Sequence, residues 1–348
     1  MRKKIIYALI LTLLVGLCGC SSGKEQKVPP ADPAGMVTQE TKESITVVDQ
    51  AGREVTVPKK IDSIALCYRV AVRFLLNLDQ GDKIKGIGKT EDFLEELQPS
   101  LAEAADVGQG VADLEALAEL KPDIFIHKAS DIETLDAVEK LGIPAIGIRA
   151  ENAEDITEVL DVLGKVCGRQ DKAQMLIKEY KKRIRAAEKR AEGIKERKTA
   201  IVMGSSLGKV ADSDMLQSRM IQLAGGINAA ADLDEPGLWP TAGTEQLFQW
   251  DPDYIFITNS ESAEYTVKEV LKKPAWSQLK AVRTGNIYQL PAKKDSWEFP
   301  GVVSTLGIDY MMHVMYPKQM PDQKLKKNVD SLYQKMYGRT FSREELGY

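Results

Sequence analysis

From position 45 the apolar residues first fall on every second position. Ile45, Val47 and then Val55, Val57 flank a polar turn with Gly52, which predicts a β-hairpin over 45–58. The period then switches back and forth. Short β-branched runs at 63–67, 84–88, 123–127 and 145–148 predict strands. Between them, helical spacing predicts helices over 70–78, 114–120, 132–141 and 153–166. Residues 171–194 break this rhythm with one uninterrupted stripe: Ala173, Leu176, Ile177, Tyr180, Ile184, Ala187, Ala191 and Ile194. At 1.5 Å per residue, that is a rod of about 40 Å. Its other face carries Lys181, Lys182, Arg183, Arg185, Lys189 and Arg190, and is taken as a solvated outer face. Alternation then resumes: strands over 199–203, 254–258 and 287–290, helices over 215–224, 244–250, 267–271 and 302–316, and a polar tail helix over 323–336. Strands alternating with helices imply parallel sheets with covering helices.

The two halves also repeat each other. The stretch from Leu114 to Ile126 aligns without a gap on the stretch from Thr244 to Phe256, Glu115 falling on Glu245 and Pro122-Asp123 on Pro252-Asp253. Such a spacing is far too long for a solenoid period. It predicts two similar lobes, each with its own core, and a cleft between them suited to a ligand. The fold class is therefore α/β: two Rossmann-like lobes with parallel sheets, joined by one long α-helix. The divisions are 45–168 for the first lobe, 169–196 for the connecting helix, 197–320 for the second lobe and 321–348 for the tail.

The beginning of the chain is of another kind. Arg2, Lys3 and Lys4 precede an apolar run to Leu17, then Leu17-Cys18-Gly19-Cys20-Ser21. This order of basic, apolar and small residues reads as a secretory signal over 1–19. A small residue before the cysteine resembles a lipoprotein cleavage box, with Cys20 as the acylated residue. Residues 20–44, rich in Pro, Gly, Ser, Lys and Glu, read as a flexible tether. The location implied is extracytoplasmic and lipid-anchored to the cell membrane. With 47 basic against 51 acidic residues the chain is net acidic, which argues against nucleic acid. Cys67 and Cys167 remain inside the fold and are expected to be buried free thiols. No CxxC or Cys/His metal spacing is present. No nucleophile elbow, P-loop or Rossmann glycine fingerprint appears either, so the chain is not taken for an enzyme and no cofactor is expected.

In open α/β sheets, ligands sit beyond the C-terminal strand ends. Those ends carry Tyr68, Arg69, His127, Lys128 and Arg149 in the first lobe, and Ser205, Ser206, Asn259 and the 293–300 loop with Glu298 in the second. Aromatic rings with a few cations suit a bulky ligand with flat apolar area and some peripheral charge. His127 is either a hydrogen-bonded strand-end histidine or, like Tyr68, a direct ligand should the cargo be haem.

Taken together, the opening hairpin with Asp49, Gly52 and Arg53, the two Glu…Pro-Asp repeats, the single long helix and the closing 297–317 segment resemble the solute-binding lipoproteins of ABC importers for chelated iron, haem and cobalamin. The resemblance spans roughly 45–316. It implies a monomer that captures a metal chelate (ferric siderophore, haem or corrinoid) and delivers it to a membrane permease and its ATPase. It implies that Glu115 and Glu245 dock that permease, and that Trp239 and Trp297 line the cleft. The chain departs from the pattern after Pro300, where many relatives carry an arginine and this chain has Gly301-Val302-Val303. That weakens the case for a strongly anionic catecholate. Molybdate or tungstate binding, or an enzyme on the same fold, are the alternatives.

Overall fold

Strand pairing settles the lobe architecture. The computed structural model describes residues 33–233, 239–258 and 265–348. The signal segment, Cys20, most of the tether and Asn259 lie outside the described residues.

The chain opens with β1 (Val37–Glu40), β2 (Ser44–Val48) and β3 (Glu54–Pro58), an antiparallel sheet in that order. β4 (Ile64–Leu66), α1 (Val70–Asn77), β5 (Ile84–Ile87), α2 (Asp92–Leu97), α3 (Leu114–Leu120), β6 (Ile124–Lys128), α4 (Ile132–Lys140), β7 (Ala145–Ile148) and α5 (Ala153–Val166) make the first lobe. The strut is α6 (Gln170–Glu192). The second lobe holds β8 (Thr199–Met203), α7 (Leu216–Leu223), β9 (Ile227–Asn228), α8 (Thr244–Trp250), β10 (Tyr254–Ile257), α9 (Val267–Lys272), α10 (Lys280–Arg283), β11 (Ile287–Gln289) and α11 (Ser304–Met315). The tail is α12 (Asp322–Tyr337) and α13 (Arg343–Leu346).

Both sheets are parallel and share one topology. The first runs β5-β4-β6-β7 and the second β9-β8-β10-β11, so each lobe places its second strand outside its first. The order reverses between β4 and β6, and again between β8 and β10. A crevice forms at the C-terminal ends of such strand pairs.

The repeat has a physical purpose in each lobe. Lys121 and Asp251, at matching places, both take left-handed backbone and close α3 and α8 by donating their N–H to Leu117 and Leu247. Asp123 then accepts from the backbone N–H of Asp62 and Ser63, at 2.7 and 2.9 Å, pinning the chain just before β4. Asp253 does the same for Thr199 at the start of β8, at 2.9 Å. The opening hairpin is fixed in a similar way. Buried Asp49 accepts from the Arg53 guanidinium and from Gly147 N–H on β7. This covers an edge strand that would otherwise be open.

Three expectations need correction. First, the tether ends earlier than position 44. Gly35 donates to Val48 O at 2.8 Å, β1 pairs with β2, and Lys165 reaches Gly35 O. Second, the lobes do not hold separate cores. One continuous apolar cluster runs from Val47 through Leu75, Leu176 and Met312 to Met336. Only two smaller clusters are local to a lobe, around Phe125 in the first and Ile255 in the second. The strut and the tail present apolar faces to both lobes.

Third, the tail helix is not a peripheral polar appendage. α12 buries Leu325, Val329, Leu332, Tyr333 and Met336. Beyond it Phe341 stacks edge-on against Phe93 of the first lobe, at 5.6 Å, and Arg339 pairs with Glu96. The tail thus crosses back from the second lobe to the first. Arg183 and Arg190 of the strut are likewise not solvated. Arg190 donates to the buried Asp309 at 2.5 Å, and Arg183 to Glu179 and Asn328 O.

Candidate functional site

At the mouth of the first sheet, β4 ends in Cys67-Tyr68-Arg69 and leads straight into α1. Every residue of α1 is buried, Arg73 included. A buried guanidinium requires partners. Arg73 Nη2 donates to Glu91 at 2.5 Å, and Nε to Asp295 of the second lobe at 2.9 Å. Tyr337 of the tail donates to the other Asp295 oxygen at 3.1 Å. The ring of Phe299 lies 4.5 Å from the guanidinium carbon. Burial pushes the Asp295 carboxyl above its ordinary pKa, with Arg73 opposing. Burial alone would lower Arg73, yet Asp295 and Glu91 hold it above the usual arginine value.

Two of the remaining cleft cations are also paired. Arg69 donates to Glu91 at 2.7 Å. Arg149 donates through Nε and Nη2 to Asp155, which is buried and also accepts from Glu151 N–H. Lys128 is exposed at the end of β6 and makes no ion pair among the described residues. Tyr68 is half-buried, and burial followed by Glu151 and Asp155 pushes its phenol up to about 12. It therefore stays protonated at neutral pH. A cavity of about 320 Å³ lies between the first turn of α5 and the middle of α6, with Thr157, Tyr180 and Ile184 in its wall.

For His127 the structure supports the hydrogen-bonded strand-end role. It is fully buried, with Nδ1 3.1 Å from Cys67 Sγ and Nε2 2.8 Å from Asp131. Both ring nitrogens are engaged, which leaves none to ligate haem iron. Burial, then Asp131, pushes the Cys67 thiol up to about 12, so this Cys–His–Asp chain is a set of hydrogen bonds around a protonated thiol. Cys67 and Cys167 are both free and buried. Among the described residues, no group of three or more His, Cys, Asp or Glu is arranged to hold a metal ion.

In the second lobe Ser205 and Ser206 sit in a turn closed by Gly204 N–H on Lys209 O and Lys209 N–H on Ser206 O. Trp239 lies against this turn. A side chain at Gly204 would come within 2.8 Å of its ring, so glycine is needed there. Trp239 itself adopts φ +57°, a strained choice for a bulky residue and one that functional sites tolerate. Its ring is half-buried at the lip of the β8 turn.

Trp297, in contrast, does not line the cleft. It is fully buried, donates its indole N–H to Tyr333 at 2.9 Å and packs 4.9 Å from Tyr348. The tail covers it. Glu298 is buried, and its carbonyl accepts from Gln217. Glu115 and Glu245 are both exposed, each in the first turn of its helix.

Sequence reasoning missed Arg73 and Glu91, and it named the 293–300 loop without singling out Asp295 and Phe299. A signal was present: an arginine inside Val70-Ala71-Val72-Arg73-Phe74-Leu75-Leu76 is a charge in an all-apolar helix, which demands a partner.

Comparison with known proteins agrees with this geometry. The sequence pattern of a family described as Periplasmic binding protein matches residues 64–294. The uncharacterized ABC transporter substrate-binding lipoprotein YvrC of Bacillus subtilis is 25% identical over 330 residues, covering 91% of this chain and 98% of that protein. The Fe(3+)-citrate-binding protein YfmC of the same organism is 26% identical, covering 86% of this chain and 92% of its own length. Among solved structures, a periplasmic solute binding protein from Veillonella parvula superposes with a TM-score of 0.76 at 25% identity, covering 87% of this chain and 95% of that one.

Proposed function

Since the chain belongs to the periplasmic binding protein family and serves as the substrate-binding component of an ABC importer, we propose that its cargo is a neutral or cationic metal chelate of the ferric hydroxamate type. One observation carries this reading: every arginine at the strand ends is already neutralised from within. Arg69 is paired with Glu91, Arg73 with Glu91 and Asp295, and Arg149 with Asp155. An anionic chelate is bound by bidentate arginines with free donor pairs, and capturing one here would first break internal pairs, of which Arg73 with Asp295 joins the two lobes. Tyr68, Trp239 and Phe299 instead offer half-buried ring faces for apolar linkers and for a weakly charged complex. A multiply charged citrate complex fits this cleft poorly, although the relative YfmC is named for one.

The carboxylates Glu115 and Glu245 are proposed to seat the permease. They stand exposed at matching positions on helices that share the same left-handed C-terminal closure, which suits a partner with two-fold symmetry. Cys20 is proposed to carry the lipid that keeps the protein at the membrane, and the protein acts by binding, without chemistry on its cargo.

Tryptophan fluorescence tests the cargo. The protein is titrated with a ferric trihydroxamate, ferric citrate, a ferric catecholate, haem, cobalamin and molybdate. Saturable quenching by the trihydroxamate, at least tenfold tighter than by the citrate or catecholate complexes, is the expected result. Preferential binding of an anionic complex would overturn the proposal.

A further inference from the structure

Val111 is 77% exposed, a large aliphatic side chain held in water by a built loop. Gly110 N–H donates to Cys67 O at the end of β4, and Asp113 N–H to Val107 O. Gly108 turns at φ +91°, where a side chain would strike the Val111 carbonyl. Asp113 then caps α3 through the N–H groups of Glu115 and Ala116. Val111 is therefore presented by main-chain bonds anchored to the core sheet. Leu114, 40% exposed, follows at the first turn of α3, next to Glu115.

The second lobe carries other residues at the matching sequence positions, and its helix starts at Gly243 without a side-chain cap. Thr241 and Thr244 stand where Val111 and Leu114 are in the first lobe, and Gln249 where Glu119 is. Phe248, 37% exposed, replaces Ala118 and lies three residues after Glu245, on the same helix face. Each lobe thus places exposed apolar area beside its glutamate, on unlike residues. Scattered single apolar residues need no explanation, but exposed apolar area beside each of two repeated carboxylates does.

We propose that the membrane permease docks on two unlike pads: Val111 and Leu114 beside Glu115 on the first lobe, and Phe248 beside Glu245 on the second. This rests on the reading that the two glutamates seat the permease. The carboxylates steer and orient the encounter, and that contribution fades with salt. The apolar residues, desolvated at the contact, lengthen the lifetime of the complex and are insensitive to salt. The first lobe, with Glu119 as a second exposed carboxylate on α3, carries the more salt-dependent half.

The test measures binding of the full-length protein to its own permease–ATPase complex in lipid nanodiscs, at low and high salt. The variants are V111S/L114S, F248S and E115A/E245A. All five positions are exposed, and unchanged cargo affinity verifies that each variant is folded. V111S/L114S and F248S are each expected to weaken docking about tenfold, mainly through faster dissociation, with the salt slope preserved. E115A/E245A is expected to lower the association rate and flatten the slope.

Wild-type docking by both apolar variants, with docking lost only in E115A/E245A, would overturn the pads and leave the glutamate reading intact. Weakened docking by the apolar variants with a wild-type E115A/E245A would overturn the glutamate reading alone. Sedimentation of the isolated protein decides the other occupant: a dimer that V111S/L114S dissolves would assign the patch to a second copy and overturn the proposal.

Discussion

Arg73 and Asp295 meet across the lobe boundary, Nε to Oδ1 at 2.9 Å, with both side chains buried. They are 222 residues apart in sequence. The strut α6 packs against α5 of the first lobe and against α7 and α11 of the second. With the tail also crossing to α2, the lobes are tied in three places. Lobes so braced are expected to move by a small rocking of packed parts and not by a wide hinge closure.

Removing one partner of this network leaves the others buried without compensation. Arg73→Met is expected to destabilise by about 3–5 kcal/mol, since Asp295 and Glu91 both lose their cation. Asp295→Asn keeps shape and hydrogen bonding and removes a carboxyl that burial already disfavours as an anion, so it should cost no more than about 2 kcal/mol. Urea unfolding of the two variants checks the order. If Asp295→Asn proved as damaging as Arg73→Met, the pair would be more than an internal neutralisation.

The tail predicts a second effect. Deleting residues 339–348 removes Phe341 and Leu346, both buried, and uncovers Trp297. The expected loss exceeds about 4 kcal/mol, on the scale of deleting large core side chains. Hydrogen exchange should rise in α2 of the first lobe as well as in the second lobe. Protection lost in the second lobe alone would show that the tail does not bridge.

What the sequence made legible was local. The stripe on α6, the bounds of α3, α5, β7, β8 and α8, and the repeated Pro-Asp all follow from period and turn chemistry over a dozen residues. What it hid was long-range. β1 is held by main-chain bonds that exposed Val37, Gln39 and Glu40 do not encode. The α12 stripe of Leu325, Val329, Leu332 and Met336 was present at helical spacing, but its many lysines made the segment read as polar. In the site, pairing decided the outcome. Arg69 and Arg149 look like free ligand donors in sequence, and only the fold reveals Glu91 and Asp155 beside them. The assignment of Trp297 failed for the same reason: what covers it arrives from the last residues of the chain.

Alkaline stability follows from the tyrosines. Burial pushes the phenols of Tyr68, Tyr310 and Tyr348 from about 10 up to about 12. A group whose folded pKa is raised stabilises the fold in full below its unfolded pKa, and that contribution is lost as pH rises through the folded value. Unfolding free energy should therefore be steady to about pH 9.5 and fall between about pH 10 and 12. Spectrophotometric titration should show phenolate appearing late and together with loss of structure. Early ionisation of most tyrosines in a still-folded protein would contradict the burial described.

The two tryptophans give the sharpest check on where the cargo sits. Trp239 rests half-buried on the Gly204 turn beside Ser205, at the mouth of the second sheet. Trp297 is sealed beneath Tyr333 and Tyr348. An iron chelate bound between the strand ends would quench the nearer indole most strongly. Trp239→Phe is thus expected to remove most of the cargo-dependent change and to weaken binding about tenfold, the range for one aromatic contact. Trp297→Phe should leave both affinity and quenching nearly intact, while lowering the melting temperature by loss of the Tyr333 hydrogen bond and of core volume. Quenching that survives in Trp239→Phe but vanishes in Trp297→Phe would move the cargo to the tail side of the second lobe, and with it the whole assignment of the cleft.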